Sequence, residues 1–121
     1  MAHDILAVAE VYLQAWDAKD IAAISKHLHP EVTFLGPMSS TKGKDAFLAS
    51  TQRIIGLLQF IKVRAKFSTG DQAIIAYDFI CAEPIGNCRT AELLTIKDGL
   101  ITDVELFFDA RPFEKMMQSK K

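Results

Sequence analysis

Along the chain the spacing of apolar positions changes once, from helical to alternating, and that change divides the fold. Ile5, Val8, Tyr12, Ala15 and Trp16 recur at intervals of three and four, which puts them on one face of a helix over residues 3 to 18. Asp20 can cap a second, shorter helix with Ile21, Ile24 and Leu28 along one side, and Pro30 ends it. Val32 to Leu35 reads as a first strand, and the run from Gly36 to Gly43, rich in Ser, Pro and Gly, reads as loop. A third helix turns Phe47, Thr51, Ile54, Ile55 and Leu58 inward. From Phe60 the period is two, with Ile61, Val63, Ala65 and Phe67 opposed to Lys62, Arg64 and Lys66. Phe60 to Phe67, Gln72 to Ala82, Arg89 to Lys97 and Leu100 to Asp109 make a meander of four long strands. Their connections are too short for crossovers, so these strands are antiparallel. Three helices followed by a meander predict an α+β fold. The tail from Arg111 offers at most a short helix through Phe113, Met116 and Met117, and is expected to fray.

Register decides which acids point inward. If Lys97-Asp98-Gly99 is a three-residue loop, Glu92, Leu94 and Ile96 share one apolar face with Thr102, Val104 and Leu106. A two-residue Asp98-Gly99 loop would instead set Glu92 against Glu105, and like charges directly opposite are unfavourable. The three-residue loop is therefore preferred, which embeds the Glu92 carboxyl among aliphatic side chains. In the preceding hairpin a Pro84-Ile85-Gly86 loop pairs Asp78 with Glu92 and puts Cys81 and Cys88 on opposite faces. A slip of one residue exchanges the faces and sets Tyr77 against Glu92 and Cys81 against Cys88. Gly86 at the third loop position favours the first arrangement. Two inward carboxyls a strand apart would raise one another's pKa and could share a proton as acid and base.

Composition narrows the class without naming a ligand. With 121 residues, 50% hydrophobic and 24% charged, the chain has room for one core, and a single domain over residues 3 to 118 is expected. A formal net charge of −1 provides no long-range attraction to phosphates, so nucleic acid is not an expected partner. No apolar run approaches the ~20 residues that span a bilayer, and no basic stretch precedes a long apolar block, so a cytoplasmic protein without a membrane partner is expected. Cys81 and Cys88 alone build neither a disulfide scaffold nor a thiolate zinc site. His27 and His29 have no third ligand nearby, and Lys62, Arg64 and Lys66 form a solvated face. No cofactor is implied, because glycine-rich phosphate loops and serine-nucleophile motifs are missing.

Four words of the sequence recur in one fold family: Val11 to Asp20, His29-Pro30-Glu31-Val32-Thr33-Phe34-Leu35-Gly36-Pro37, Lys97-Asp98-Gly99-Leu100-Ile101, and Leu106-Phe107-Phe108-Asp109. The chain resembles the superfamily that joins nuclear transport factor two, ketosteroid isomerases and SnoaL-like polyketide cyclases. The resemblance implies a cone-shaped α+β barrel of cystatin-like type, with three N-terminal helices on a curved antiparallel sheet around an apolar pocket. By the same resemblance Tyr12 falls on the isomerase tyrosine that donates to a developing enolate, and Glu92 on the acid that donates beside it. Asp78 is aligned to the pocket face, and Asp109 to the acid–base aspartate of the cyclases. The isomerase base, expected immediately before Pro37, is replaced by Gly36. Trp16, Phe34, Met38, Leu94, Val104, Leu106 and Phe108 are the expected ligand-binding residues.

The implied activity is cofactor-free isomerisation, cyclisation or dehydration of a small apolar molecule, with Tyr12 and Glu92 on an oxyanion and Asp78 or Asp109 moving the proton. The competing reading is a non-catalytic ligand carrier or dimeric interaction module, which Gly36 favours. Apolar residues on both sheet faces, Ala73, Ile75, Tyr77 and Phe79 against Ile74, Ala76 and Ile80, predict a symmetric homodimer through the outer face.

Overall fold

Residues 4–119 are described in a computed structural model. The expected helix start at residue 3 and the last two residues of the tail lie outside that range. Asp4 opens helix α1 (Ile5–Asp17) by accepting a hydrogen bond from Ala7 N at 3.2 Å, and Asp20 does the same for α2 (Ile21–Lys26) through Ala23 N at 3.0 Å. The rest of the chain runs β1 (Leu28–Leu35), β2 (Ser40–Lys42), α3 (Lys44–Ile55), β3 (Leu58–Thr69), β4 (Gln72–Cys81), β5 (Asn87–Lys97), β6 (Leu100–Phe108) and α4 (Arg111–Ser119).

The six strands form one sheet in the order β2-β1-β6-β5-β4-β3. The meander from β3 to β6 is antiparallel as expected, but β1 lies parallel to β6, so the sheet is mixed. The excursion through β2, α3 and the meander is long enough to bring the last strand back beside the first in the same direction. Helix α2 stops at His27, before Pro30, which instead sits inside β1. The β1–β6 register shifts between Leu28 and Thr33, so no regular ladder bond is asked of the proline there. The 36–43 stretch, expected as loop, contains β2.

Three register details depart from the alternating pattern and fix the site. In β3 a bulge between Val63 and Ala65 reverses the faces, so Phe67 pairs with Ile74 on the outer surface while Lys66 turns inward and ion-pairs with Glu10 of α1. The β5–β6 turn is the two-residue one, with Asp98 at φ 54° and Gly99 at φ 78°, both left-handed as such a turn requires. A bulge then inserts Thr102, so that Glu92 pairs with Leu106 and the clash with Glu105 never arises. The expected grouping of Glu92, Leu94 and Ile96 with Val104 and Leu106 therefore holds although the expected loop length does not.

The third detail overturns an assignment. Pairing of β4 with β5 ends at Ile80–Asn87, with Cys81 N bonded to Gly86 O at 2.9 Å, so the connection is wider than Pro84-Ile85-Gly86. Ile75 pairs with Glu92, Tyr77 with Thr90 and Phe79 with Cys88 on the inner face. Asp78 pairs with Arg89 on the outer face, where Arg64 Nη1 also lies 3.8 Å from its Oδ1. Cys81 and Cys88 lie on the same face, not opposite ones, as free buried thiols.

Helix α1 lies across the inner face and is tied down at its C-terminal end. Asp17 Oδ1 accepts from Ile61 N at 2.8 Å, and Lys19 Nζ donates to Gln59 O at 2.9 Å. These ties hold Tyr12 over the centre of the sheet. Through Ser119 the tail is helical where fraying was expected: Asp109 accepts from Arg111 N at 3.0 Å, α4 follows, and Phe113 is buried against Phe108 with ring centroids 5.5 Å apart. An aromatic anchor that removes its ring from water holds the helix.

Candidate functional site

The cone formed by the curved sheet, α1 and α3 encloses a cavity of about 140 Å³. A single water needs only ~10–15 Å³, so this is far more than a packing defect. Its wall is built from edge-to-face aromatic pairs: Trp16 with Phe79 at 6.3 Å, Phe34 with Phe47 at 5.8 Å, and the Phe108–Phe113 pair contributed by β6 and α4. The β1–β2 loop, through Pro37 and Met38, and Ser50 and Ile54 of α3 complete the lining.

Besides the small hydroxyls of Ser39, Ser50, Thr51 and Thr90 and the Cys88 thiol, three larger polar side chains interrupt this apolar surface, one from each of three elements. Tyr12 comes from α1, Tyr77 from β4 and Glu92 from β5. Tyr77 Oη donates to Glu92 Oε1 at 2.9 Å. Glu92 Oε2 has no protein partner among the described residues. Tyr12, with no exposed surface, leaves its Oη without a partner in hydrogen-bond geometry, although the Trp16 indole is near enough to act on it. A buried hydroxyl left unpaired costs ~1–3 kcal/mol, so this atom is waiting for something.

Burial pushes the Glu92 carboxyl up from 4.5 to about 7, with the Tyr77 hydrogen bond opposing the rise. Tyr12 and Tyr77 are both held well above their ordinary value, first by burial and then by the charge of Glu92. The Cys88 thiol is raised by burial, with a hydrogen bond from Thr90 working against it.

Of the residues expected to act, Tyr12 and Glu92 meet in the cavity, and Trp16, Phe34, Met38, Leu106 and Phe108 line it. Asp78 does not, because its strand position points outward. Nor does Asp109: its carboxylate is half exposed and clamped by Arg111, whose Nη2 lies 2.7 Å from Oδ2. Chiefly those hydrogen bonds lower its pKa to about 2. Leu94 and Val104 are ordinary core residues buried toward the Asp98-Gly99 turn, since the cavity floor ends at Glu92 and Leu106. The reading from sequence missed Tyr77, Phe47, Thr51, Phe79 and Phe113. Tyr77 and Phe79 were legible only in the slipped register.

Gly36 lines the cavity near its mouth. A Cβ there would lie 2.9 Å from Phe34 Cζ, so the aromatic ring occupies the space into which an acid at that position would project. Among the described residues there is no group of three or more His, Cys, Asp or Glu that could hold a metal ion. His29 Nδ1 accepts from Glu31 N at 3.0 Å within β1. No helix among the described residues is long and apolar enough to cross a membrane.

An α+β cone closed around an apolar cavity with a small polar floor defines a class of pocket proteins. Residues 9–104 match the family model for the SnoaL-like domain, and the chain belongs to that family. Among solved structures, a protein from Kribbella flavida DSM 17836 is 29% identical with a TM-score of 0.87, covering 95% of this chain and 94% of its own. A candidate ketosteroid isomerase from the same organism is 17% identical, with a TM-score of 0.78 over 87% of this chain and 77% of its own. A candidate polyketide cyclase from Sinorhizobium meliloti is 20% identical, with a TM-score of 0.77 over 84% of this chain and 94% of its own. A search of curated proteins found no match.

Proposed function

We propose that this protein takes one small apolar molecule into the cone and holds a carbonyl or phenolic oxygen of that molecule at Tyr12 and Glu92. The reaction class is cofactor-free proton transfer beside that carbonyl: isomerisation, dehydration or ring closure. The observation that carries the reading is the fully buried Tyr12 Oη, without a partner in hydrogen-bond geometry, next to the Tyr77–Glu92 pair in a cavity whose walls are mainly apolar. A neutral carboxyl and a phenol can both donate to one oxygen, and donors fixed in a dry site stabilise developing negative charge. The names carried by two structural neighbours, an isomerase and a cyclase, agree with this class by fold-level analogy.

The test uses 2-naphthol, an oxygen-bearing aromatic, and naphthalene, the same ring system without the oxygen. Quenching of Trp16, the chain's single tryptophan, reports both. Wild type should prefer 2-naphthol by ~10-fold or more, since a hydrogen bond to a charged or strongly polar group is worth ~1.5–3 kcal/mol. Tyr12→Phe and Glu92→Leu should each reduce that preference while leaving naphthalene binding in place. Equal affinities in wild type and both variants would remove the oxygen site and leave a simple carrier, the reading that Gly36 favours.

The outer sheet face supports a second element of the proposal, a symmetric homodimer. Phe67, Ile74, Leu93, Glu105 and Leu35 are successive cross-strand neighbours over five strands, and Phe107 adjoins that row through its pairing with Ala91. Phe67, Ile74, Leu35 and Phe107 are all exposed. An exposed apolar band of this kind, interrupted by Glu105, is uncommon on monomers, and a second copy supplies the matching surface.

A further inference from the structure

We infer that Glu92 is itself the group that takes up and returns the proton, with Tyr12 holding the substrate oxygen and Tyr77 positioning the carboxyl. This rests on the proton-transfer reading of the cavity above, and it redistributes the roles within it. The resemblance to isomerases implies a separate base near position 36 and makes Glu92 a partner of Tyr12. Here that place is Gly36, backed by the Phe34 ring. The two other acids put forward as proton carriers lie outside the cavity, Asp78 beside Arg89 and Arg64 and Asp109 in the grip of Arg111.

The titratable groups that line the cavity are few enough to consider in turn. Helix α1 supplies Tyr12, β4 supplies Tyr77, and β5 supplies Cys88 and Glu92; the β1–β2 loop, α3, β6 and α4 supply none. Neither phenol is a base near neutral pH, because both are raised well above their ordinary value. Cys88 is also raised, and four residues of extended strand, ~13 Å of backbone, separate it from Glu92. Glu92 remains. Its one side-chain hydrogen bond among the described residues is at Oε1, and its titration near neutral pH suits both halves of a proton transfer.

The direction of the Tyr77 bond supports this assignment. A carboxyl kept only as a fixed donor would gain little from a phenol donating to it. A hydrogen bond donated to Oε1 favours the carboxylate, the form a base needs, and leaves Oε2 as the reacting oxygen. In the step itself, Oε2 takes a proton from the carbon next to the carbonyl. The C–H electron pair becomes a C=C bond, and the carbonyl π pair moves onto oxygen, where the Tyr12 hydroxyl donates to it. The new Glu92 O–H then gives that proton back, to the same carbon in simple exchange or to a vinylogous carbon in isomerisation. No oxidant, reductant or second substrate enters.

Exchange of the C–H protons next to the carbonyl of 2-tetralone in D2O, followed by proton NMR above the buffer blank, tests this. Binding of 2-naphthol is measured in parallel. Wild type should exchange with a rate that rises with pH through a midpoint of about 7. E92Q should lose ~10²-fold or more of the rate while still binding 2-naphthol, the loss typical of removing a general base. Y77F should still bind 2-naphthol but move the pH midpoint upward, which a merely structural role would not do. D109N should exchange like wild type.

Exchange by E92Q at the wild-type rate would overturn the assignment while leaving the oxygen site intact, as would a wild type that binds the ketone without exchanging it. Failure of wild type to bind 2-naphthol would instead remove the proposed function, and this assignment with it. Should E92Q not fold, the wild-type profile decides by itself: a rate flat from about pH 5 to about 9 overturns the assignment.

Discussion

Replacing Glu92 with glutamine should flatten a pH dependence of stability that the protein owes to one buried carboxyl. In the unfolded chain this group titrates near 4.5, whereas in the cavity burial holds it at about 7. Below about pH 4 it is protonated in both states and imposes no ionic cost. Between 4.5 and about 7 the unfolded chain releases the proton and the folded protein keeps it, so folding becomes progressively less favourable. Above about 7 the deficit is constant. At 1.36 kcal/mol per pH unit the gap between the two values corresponds to about 3 kcal/mol. That is a large share of the ~5–15 kcal/mol typical of a domain. A folded-state pKa raised for an acid always acts in this direction, with stability present at low pH and lost as pH rises. Glutamine keeps the shape and still accepts from Tyr77, but cannot ionise. Urea unfolding of wild type and Glu92→Gln at matched pH values should therefore show the variant gaining on wild type by about 3 kcal/mol between acid and mildly alkaline conditions. Curves that stay parallel over the whole range would mean that Glu92 is not a buried acid with a displaced pKa.

Three further outcomes follow from the placement of other residues. Leu94→Ala should lower stability by ~2–5 kcal/mol, measured by urea unfolding, without changing 2-naphthol affinity per folded molecule, because Leu94 is core and not cavity wall. Ile74→Lys on the outer face should turn a sedimenting dimer into a monomer while leaving the far-UV circular dichroism unchanged; a wild type that is already monomeric would sink the dimer proposal. Cys81 and Cys88 should both react with a thiol reagent after denaturation without reductant, but slowly in the native protein at mildly alkaline pH, since burial hides both and raises Cys81 to about 11.

What the sequence discloses and what it withholds divide along one physical line. Helices announce themselves by period and cap, and Asp20 before Ile21 or the Tyr12–Trp16 face needed nothing else. Strand existence was equally legible. Facing was not, because one residue of slip exchanges both faces at no cost to the local pattern. Thr102 in β6 and the bulge before Ala65 each add a residue that alternation cannot see. Glu92 survived a wrong loop length because its bulge restored parity, while Asp78 was lost because the β4–β5 connection carries no such signal. Phe113 was missed for a different reason: its burial depends on Phe108 and a cavity rim that exist only once the sheet has closed.

The same register argument explains why the polar floor is so small. With Ile75, Tyr77 and Phe79 facing inward, β4 contributes one hydroxyl and no charge, and Asp78 is left on the outer face of the sheet, largely covered beside Arg64. A second carboxyl beside Glu92 would have raised one of the pair further and given the cavity two proton carriers. Instead Glu92 faces two phenols, one that donates to it and one whose hydroxyl has only the Trp16 indole near it and no partner in hydrogen-bond geometry. The unpaired Tyr12 hydroxyl and the acid displaced toward neutrality each cost folding free energy, and an apolar floor would avoid both. Their coexistence in one cavity is what a carbonyl ligand would relieve, its oxygen pairing Tyr12 while Glu92 exchanges a proton with the neighbouring carbon. The fold tolerates the cost because the aromatic walls and the Leu94–Ile96–Val104 core beneath the cavity bury apolar surface on every other side.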